Sequence, residues 1–482
     1  MEGIQLETNF SIVKRFHPSQ VWRYLVIGLT LGFISGAVVS TTGLIAAAGL
    51  IISLALLFFL KPRRLVIYSL VGFLLALVRW AQVPPPPAPA YFVGPQSFIA
   101  TVTSGPRIRG VNVRYTVKTD SSYKGLVEVL AKPYPSYKAG DILQIDCAEV
   151  SAVSFLYLQH KSVWRQCAWP KIFVIGQAKA NIKTGLGRLR WLAGVKINKL
   201  LPMPFATLAT GMLWGDDTGL PDKLVKNFRA TGTTHLLAVS GFNVSVLVQI
   251  IFIVLISFAL RRQTASVAAI GLVGLFVIFT GAEPSVVRAG IMGSVVLLAG
   301  LVGRPADKAN VLLGTAAVML SFSPTLIFDL GWQLSFASMV GLSTVGPVLR
   351  KKFDWLPEKY GLRDSLSQTL AATLATLPII VWQIGQVSLV SPLANVLIGP
   401  VVVLVFVLGL PLVLLPNAIV WLLQPLVWLL MAVLAYVMWV ANTLAALPGA
   451  VLKPAAVLVW PVVILCYGGL IWWVRKNYQN NQ

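Results

Sequence analysis

The sequence predicts a polytopic α-helical membrane protein of about 11–12 spans or re-entrant segments, with a small β-barrel (OB-like) inserted on its extracytoplasmic side. Three observations carry that prediction. Of 482 residues, 57% are hydrophobic and 11% charged, with mean hydropathy +0.79, and several apolar runs exceed the roughly 18 residues that mark a membrane span. Residues 95–178 instead alternate apolar and polar positions between Gly, Pro, Ser and Asp turns. Lys and Arg outnumber Asp and Glu by 39 to 16, a net +23, an excess beyond cytoplasmic anchoring that asks for an anionic partner, lipid or nucleic acid.

The N-terminal region (1–83) opens with about twenty mostly polar residues, including Lys14, Arg15 and Arg23. An apolar stretch at roughly 24–58 reads as two uncleaved spans turning near Ser40 to Gly43, with a cleavable signal sequence as the alternative. After the basic stop Lys61, Arg63 and Arg64, a third span covers about 65–82, and "VPPPPAPA" begins a stiff linker at 84–94. A cytoplasmic N-terminus places residue 84 onward outside. Spans near 233–260, 284–302, 330–348 and 455–474 then end at Arg261/Arg262, Arg304/Lys308, Arg350/Lys351/Lys352 and Arg475/Lys476, every cluster on the cytoplasmic side. Return spans follow at about 265–281, 309–324, 366–385 and 417–445, with 388–412 entering, and the tail 476–482 is cytoplasmic. Residues 365–452 carry no formal charge, so the count there rests on breakers such as Pro378, Pro392, Pro400, Pro411 and Pro416.

In the β domain, "SFIATVTS", "NVRYTVKT", "GLVEVLAK", "DILQIDCAEV" and "KIFVIGQAK" predict about five strands, a spacing that fits an OB-type barrel and other small β folds alike. Two readings stand for Cys147 and Cys167. In an oxidising exterior they form a disulfide, worth about 3 kcal/mol in the chain-entropy model; otherwise they are two unpaired buried cysteines. Arg107, Arg109, Arg114, Lys118, Lys124, Lys132, Lys138, Lys161, Arg165 and Lys171 face five acids in this domain and are its DNA-binding candidates. Tyr115, Tyr123, Tyr134, Tyr137, Phe155, Tyr157 and Trp164 either offer bases a stacking surface or form a tyrosine-rich core under solvated lysines.

Residues 179–232 form interfacial helices. In 181–201, Ile182, Leu186, Leu189, Ala193, Ile197 and Leu200 recur at helical spacing, while Lys183, Arg188, Arg190, Lys196 and Lys199 take other faces toward anionic headgroups or a passing polyanion. Two short helices flank "GDDTGL", where Asp216 and Asp217 are read as turn and cap residues in preference to metal ligands.

The core, 233–475, opens with "GTTHLLAVSGFNVSVL", polar residues inside an uncharged stretch running to Leu260. A Ser/His hydrolase from His235 and Ser240 is disfavoured, because five residues on a straight helix set them about 140° apart. A discontinuous helix fits better: the Ser240-Gly241 pair marks an unwound turn, and His235, Ser240, Asn243 and Ser245 furnish a wet cavity or act as polar glue between helices. Arg288 sits one turn inside the next span with Glu283 as its expected partner, either functional or a structural ion pair. Asp329 caps a helix carrying Gln333 and Ser335, and Asn395 lies between two prolines.

The ordered series "GDDTGLPDKLVKNFRATGTTHLLAVSGFNVSVL", "EPSVVRAGIM", "DLGWQLSFASMVGL" and "TLPIIVWQIGQVSLVSPLANVLIGP" resembles the ComEC family of competence proteins over about 205–475. The resemblance implies a multi-pass protein of the bacterial cytoplasmic membrane, a channel admitting one strand of transforming DNA, and an outer OB domain handling DNA before entry. It points to Gly232, His235, Ser240, Gly241, Glu283, Arg288, Asp329, Gln333, Ser335 and Asn395 as motif positions. Where the family commonly has Leu-His after Ser-Gly, this chain has Phe242 and Asn243, so the resemblance carries over a hydrogen-bonding role there and none that needs imidazole. The family's frequent C-terminal metallo-β-lactamase-like domain is not expected, because three scattered histidines cannot build its metal site. No cofactor or metal is expected. The expected partners are single-stranded DNA, membrane lipid, and separate DNA-receptor, nuclease and cytoplasmic motor proteins, since no phosphate-binding nucleotide loop occurs. A secondary transporter for a small anionic solute is the alternative.

Overall fold

The computed structural model describes residues 66–81, most of 96–178 and nearly all of 182–452. The two spans expected before residue 58 and the one at 455–474 lie outside the described residues. The chain divides into two compact units: residues 1–84 with 307–327, and residues 85–306 with 328–482.

In the first unit, α1 (Val66–Ala81) buries Phe73 and Ala76. Its Arg79 donates from Nε to the Ser321 carbonyl (2.9 Å), at the C-terminus of the second helix of this unit, Lys308–Phe322, where a cation offsets unpaired carbonyls.

The second unit begins with seven strands: β1 (Gln96–Arg109), β2 (Asn112–Thr119), β3 (Gly125–Ala131), β4 (Asp141–Cys147), β5 (Val150–Ala152), β6 (Val163–Ala168) and β7 (Lys171–Gln177). The expected alternation is visible in β4, whose Leu143, Ile145 and Cys147 are buried while Gln144 is exposed. The strands hydrogen-bond in the open order β5-β6-β3-β2-β1-β4-β7, all antiparallel except β3–β6, so these ladders do not by themselves close a barrel. A disulfide joins Cys147 on β4 to Cys167 on β6, Cα atoms 6.0 Å apart.

The helical part of this unit comprises α2 (Ile182–Leu200), α3 (Phe205–Trp214), α4 (Asp222–Ala230), a 3-10 turn at Thr234–Leu236, α5 (Gly241–Ser257), α6 (Arg262–Phe279) and α7 (Pro284–Leu301). Numbering the Lys308–Phe322 helix α8, the remainder is α9 (Leu330–Lys352), α10 (Leu362–Gln383), α11 (Ser391–Leu414) and α12 (Gln424–Ala445), with a two-strand ribbon of β8 (Val387–Ser388) and β9 (Val451–Leu452). Five helices among the described residues, α6, α7, α10, α11 and α12, are long and apolar enough to cross a membrane. This is a polytopic helical membrane protein. Of the other expected spans within the described residues, α1, α5 and α8 are shorter, and α9 is long but carries Gln333, several serines and glycines, and Pro347. Ile253 of α5, Val267 of α6 and Trp428 of α12 are exposed on the chain, as lipid-facing side chains must be.

Within the bundle α5, α6 and α7 pack on one another, α9 pairs with α10, and α11 pairs with α12 beside α3 and α4. Small residues set these distances: a Cβ at Gly341 of α9 would lie 2.5 Å from both the Ala371 carbonyl oxygen and the Ala375 Cβ of α10.

Candidate functional site

The polar interruption at 232–245 is a helix start inside the bundle. The 3-10 turn ends at Leu236, and Ser240, in extended backbone, is the N-cap of α5. Its Oγ accepts from the Asn243 N–H (3.3 Å) and donates to Asn243 Oδ1 (3.1 Å). Asn243, fully buried, donates from Nδ2 to the Met212 carbonyl (3.2 Å) near the end of α3. Ser285 of α7 donates to the Val239 carbonyl (3.3 Å), which holds the unwound residues against the neighbouring helix. With the Ser240 hydroxyl engaged on Asn243 and His235 Nδ1 donating to the Gly232 carbonyl (3.2 Å), no hydrogen bond joins Ser240 to His235.

Arg288 of α7 is 6% exposed and packs against this start. A Cβ on Gly241 would overlap its Nη2, Nη1 reaches Met292 Sδ at 3.8 Å, and Cζ stands 5.9 Å from the Phe336 ring centroid of α9. Its Nε is buried with no acceptor, and no carboxylate pairs with it among the described residues. The expected Glu283–Arg288 ion pair is therefore not formed. Glu283 is the N-cap residue before Pro284, and five residues turn Arg288 about 140° away on α7, toward α5 and α9.

Further motif residues gather on two other junctions. Asp329 accepts from the Trp332 N–H (2.9 Å) and caps α9, as expected, while Gln333 meets Gln383 of α10. Ser335 accepts through its carbonyl from the Ser338 hydroxyl, within α9. Gly232, with φ +69°, packs against the start of α11, where a Cβ would lie 2.6 Å from Ser391 Oγ; Asn395 donates to that same hydroxyl (3.2 Å). Sequence reasoning missed Met212, Phe336 and Ser391. Ser391 was signalled by its place before Pro392 at a helix start, whereas the first two are ordinary apolar residues.

In the β domain, Arg107 lies opposite Arg114, and Arg109 opposite Asn112, in the β1–β2 ladder. Arg114 forms an ion pair with the largely buried Glu128 (3.5 Å), so part of this charge is internally neutralised. Lys118, Lys132 and Lys171 are exposed. Arg165 aligns with Val127 across the parallel β3–β6 pair, and Lys124, Lys138 and Lys161 lie outside the described residues. Tyr115 and Tyr137 are core residues, not a stacking surface: both are buried, edge to face at 5.4 Å, and the Tyr137 N–H donates to the Tyr115 hydroxyl (3.3 Å). Burial pushes the Tyr115 phenol above its usual range, against that hydrogen bond.

Two cations of α2 serve neighbouring helices. Lys196 donates to the Val413 carbonyl (3.1 Å) and to that of Leu415 at the end of α11, and Arg190 donates to the Thr280 carbonyl (3.3 Å) after α6. They complement helix C-termini and are engaged in the fold. Burial lowers the Lys196 ammonium below its usual range. Asp216 follows the left-handed Gly215 that closes α3, and its carbonyl accepts from Thr210 Oγ1 (2.7 Å).

Residues 212–477, more than half of the chain, match the family of competence proteins. The chain is 27% identical over 396 residues to ComE operon protein 3 of Bacillus subtilis (strain 168), an alignment covering 75% of this chain and 48% of that protein. It thus spans about half the length of this curated relative. No solved structure matches it. The matched region contains the α5 start, Arg288, Asp329 and Asn395 together, and the chain belongs to the competence protein family.

Proposed function

We propose that this chain is a conduit in the bacterial cytoplasmic membrane that passes a single DNA strand inward during natural transformation. Family membership supplies the biological setting, competence being the state in which cells take up DNA. The observation that carries the reading is Arg288: a guanidinium enclosed among membrane helices, with no carboxylate partner among the described residues, beside the positive end of α5. Such a charge is costly in an apolar bundle and is kept where it meets an anion. Ser240, Gly241, Asn243 and Ser285 shape that point in the path, while His235, Gln333 and Asn395 support its neighbouring junctions.

The β domain stands outside as the collecting surface. Its exposed Lys118, Lys132 and Lys171 gather phosphates, giving affinity that falls as salt rises. We read its sheet as OB-like, because β4 lies beside β1 toward one end of the ladder while β5, starting at Val150 soon after Cys147, lies beside β6 at the other end, so that consecutive strands stand at opposite sides of the sheet. A conduit of this kind needs a separate DNA receptor, a nuclease to remove the other strand and a cytoplasmic motor. Both termini are assigned to the cytoplasm by the basic clusters.

The test is deletion of the gene in a transformable host, followed by measurement of labelled DNA in a nuclease-resistant cytoplasmic pool. Loss of that pool, with DNA still bound outside, is expected. Normal entry contradicts the conduit. A transporter for a small anionic solute instead predicts loss of solute uptake with DNA entry intact.

A further inference from the structure

Gly241 is helical and needs no special φ, so its lack of a Cβ calls for another cause. That cause is Arg288, whose Nη2 occupies the space a side chain would take. Two positive elements are thereby pressed together inside the bundle. The first turn of α5 carries partial positive charge and leaves four N–H groups without intrahelical acceptors. The N–H of Asn243 is satisfied by Ser240 Oγ, and Val244 makes the first intrahelical bond, to the Ser240 carbonyl; the N–H groups of Ser240, Gly241 and Phe242 remain as donors without an acceptor among the described residues. Arg288 adds a buried Nε without an acceptor. Like charges held side by side in an apolar setting repel unless an anion offsets both.

We propose that the N–H groups of Gly241 and Phe242, with Nε and Nη2 of Arg288, form an oxyanion site that takes one phosphodiester monoanion of a nucleic acid strand at a time. This deepens the conduit reading and rests on it. The chemistry selects the ligand: a planar guanidinium fork beside helix N-terminal N–H groups matches the spaced oxygens of a phosphate. Phe336 stands against the guanidinium, so a singly charged diester is less costly to desolvate there than a dianion. A site that holds the backbone is indifferent to base identity, and the strand passes it phosphate by phosphate.

The test uses the full chain in maltoside micelles, labelled with 5-fluorotryptophan, with the Trp332 resonance identified by Trp332→Phe. Trp332 stacks on Phe336 at 4.4 Å, so its fluorine signal reports on the surroundings of Arg288 and not on the basic β domain. The probe is the dinucleotide TpT, which has one phosphodiester. A saturable shift is expected, requiring at least about tenfold more TpT in Arg288→Gln and in Gly241→Ala, whose methyl group displaces the guanidinium. Gly241→Ala decides the matter should Arg288→Gln fail to fold. No shift, or one unchanged in the folded variants, overturns the site. A shift with short-chain phosphatidylglycerol and none with TpT overturns its assignment to nucleic acid. Weakened TpT binding with wild-type DNA entry in Arg288→Gln cells would leave the anion site and remove the conduit; lost entry with unaltered TpT binding would do the reverse.

Discussion

Asn243 is fully buried at the start of α5, and its contacts define the work done there. The side chain accepts from Ser240 and donates to the Met212 carbonyl, so it ties the start of α5 to α3. A neutral imidazole also offers one donor and one acceptor. Asn243→His is therefore expected to unfold in detergent near the wild-type temperature, whereas Asn243→Leu, which leaves the Met212 carbonyl and Ser240 unmatched, loses roughly 1–3 kcal/mol. Equal loss in both variants would show that more than hydrogen bonding is needed. The demand for a polar residue here was legible, because Ser, Gly and Asn interrupt an uncharged stretch. Its partner was not: a backbone carbonyl 31 residues earlier has no side-chain signature. The same limit applied to Arg288, whose nearest carboxylate in sequence is Glu283 but whose surroundings come from α5 and α9.

Among the elements, α9 and α10 form a tight pair because Gly341 lets two backbones approach. Gly341→Ala places its methyl group on the Ala371 carbonyl and Ala375 Cβ, neither of which is the end of a flexible side chain, and should cost about 1–3 kcal/mol in thermal unfolding. Lys196→Met keeps the apolar stem of the side chain but removes both donations to the end of α11, and should cost roughly 1–2 kcal/mol. Titration of unreduced, denatured protein should find a single reactive thiol, Cys466, of the three cysteines, with three thiols contradicting the Cys147–Cys167 bridge. Strands were readable from alternation, and "NVRYTVKT" already places Val113, Tyr115 and Val117 on one face, which is the buried one. The parallel β3–β6 pairing was not readable, since it depends on where a later strand returns. Helix boundaries within the charge-free 365–452 followed the prolines only in part: Pro392 starts α11, but Pro400 and Pro411 lie inside it.

On the scale of the whole molecule, the chain combines a seven-stranded sheet with exposed lysines and a helical core whose one well-buried arginine, among the described residues, faces a helix start. The membrane class was legible from composition alone, and the order of the motifs pointed to the family. The number of spans was not, because apolar helices such as α5 and α8, expected as spans, are shorter than a crossing needs. The conduit reading makes one geometric claim, that DNA passes the start of α5. Ser245, exposed one turn beyond Gly241, is the place to test it. A photoreactive amino acid there, activated during uptake of labelled DNA, should form a DNA adduct that the same group at Trp428, exposed on α12, does not form. Normal DNA entry with no adduct at position 245 would contradict the account.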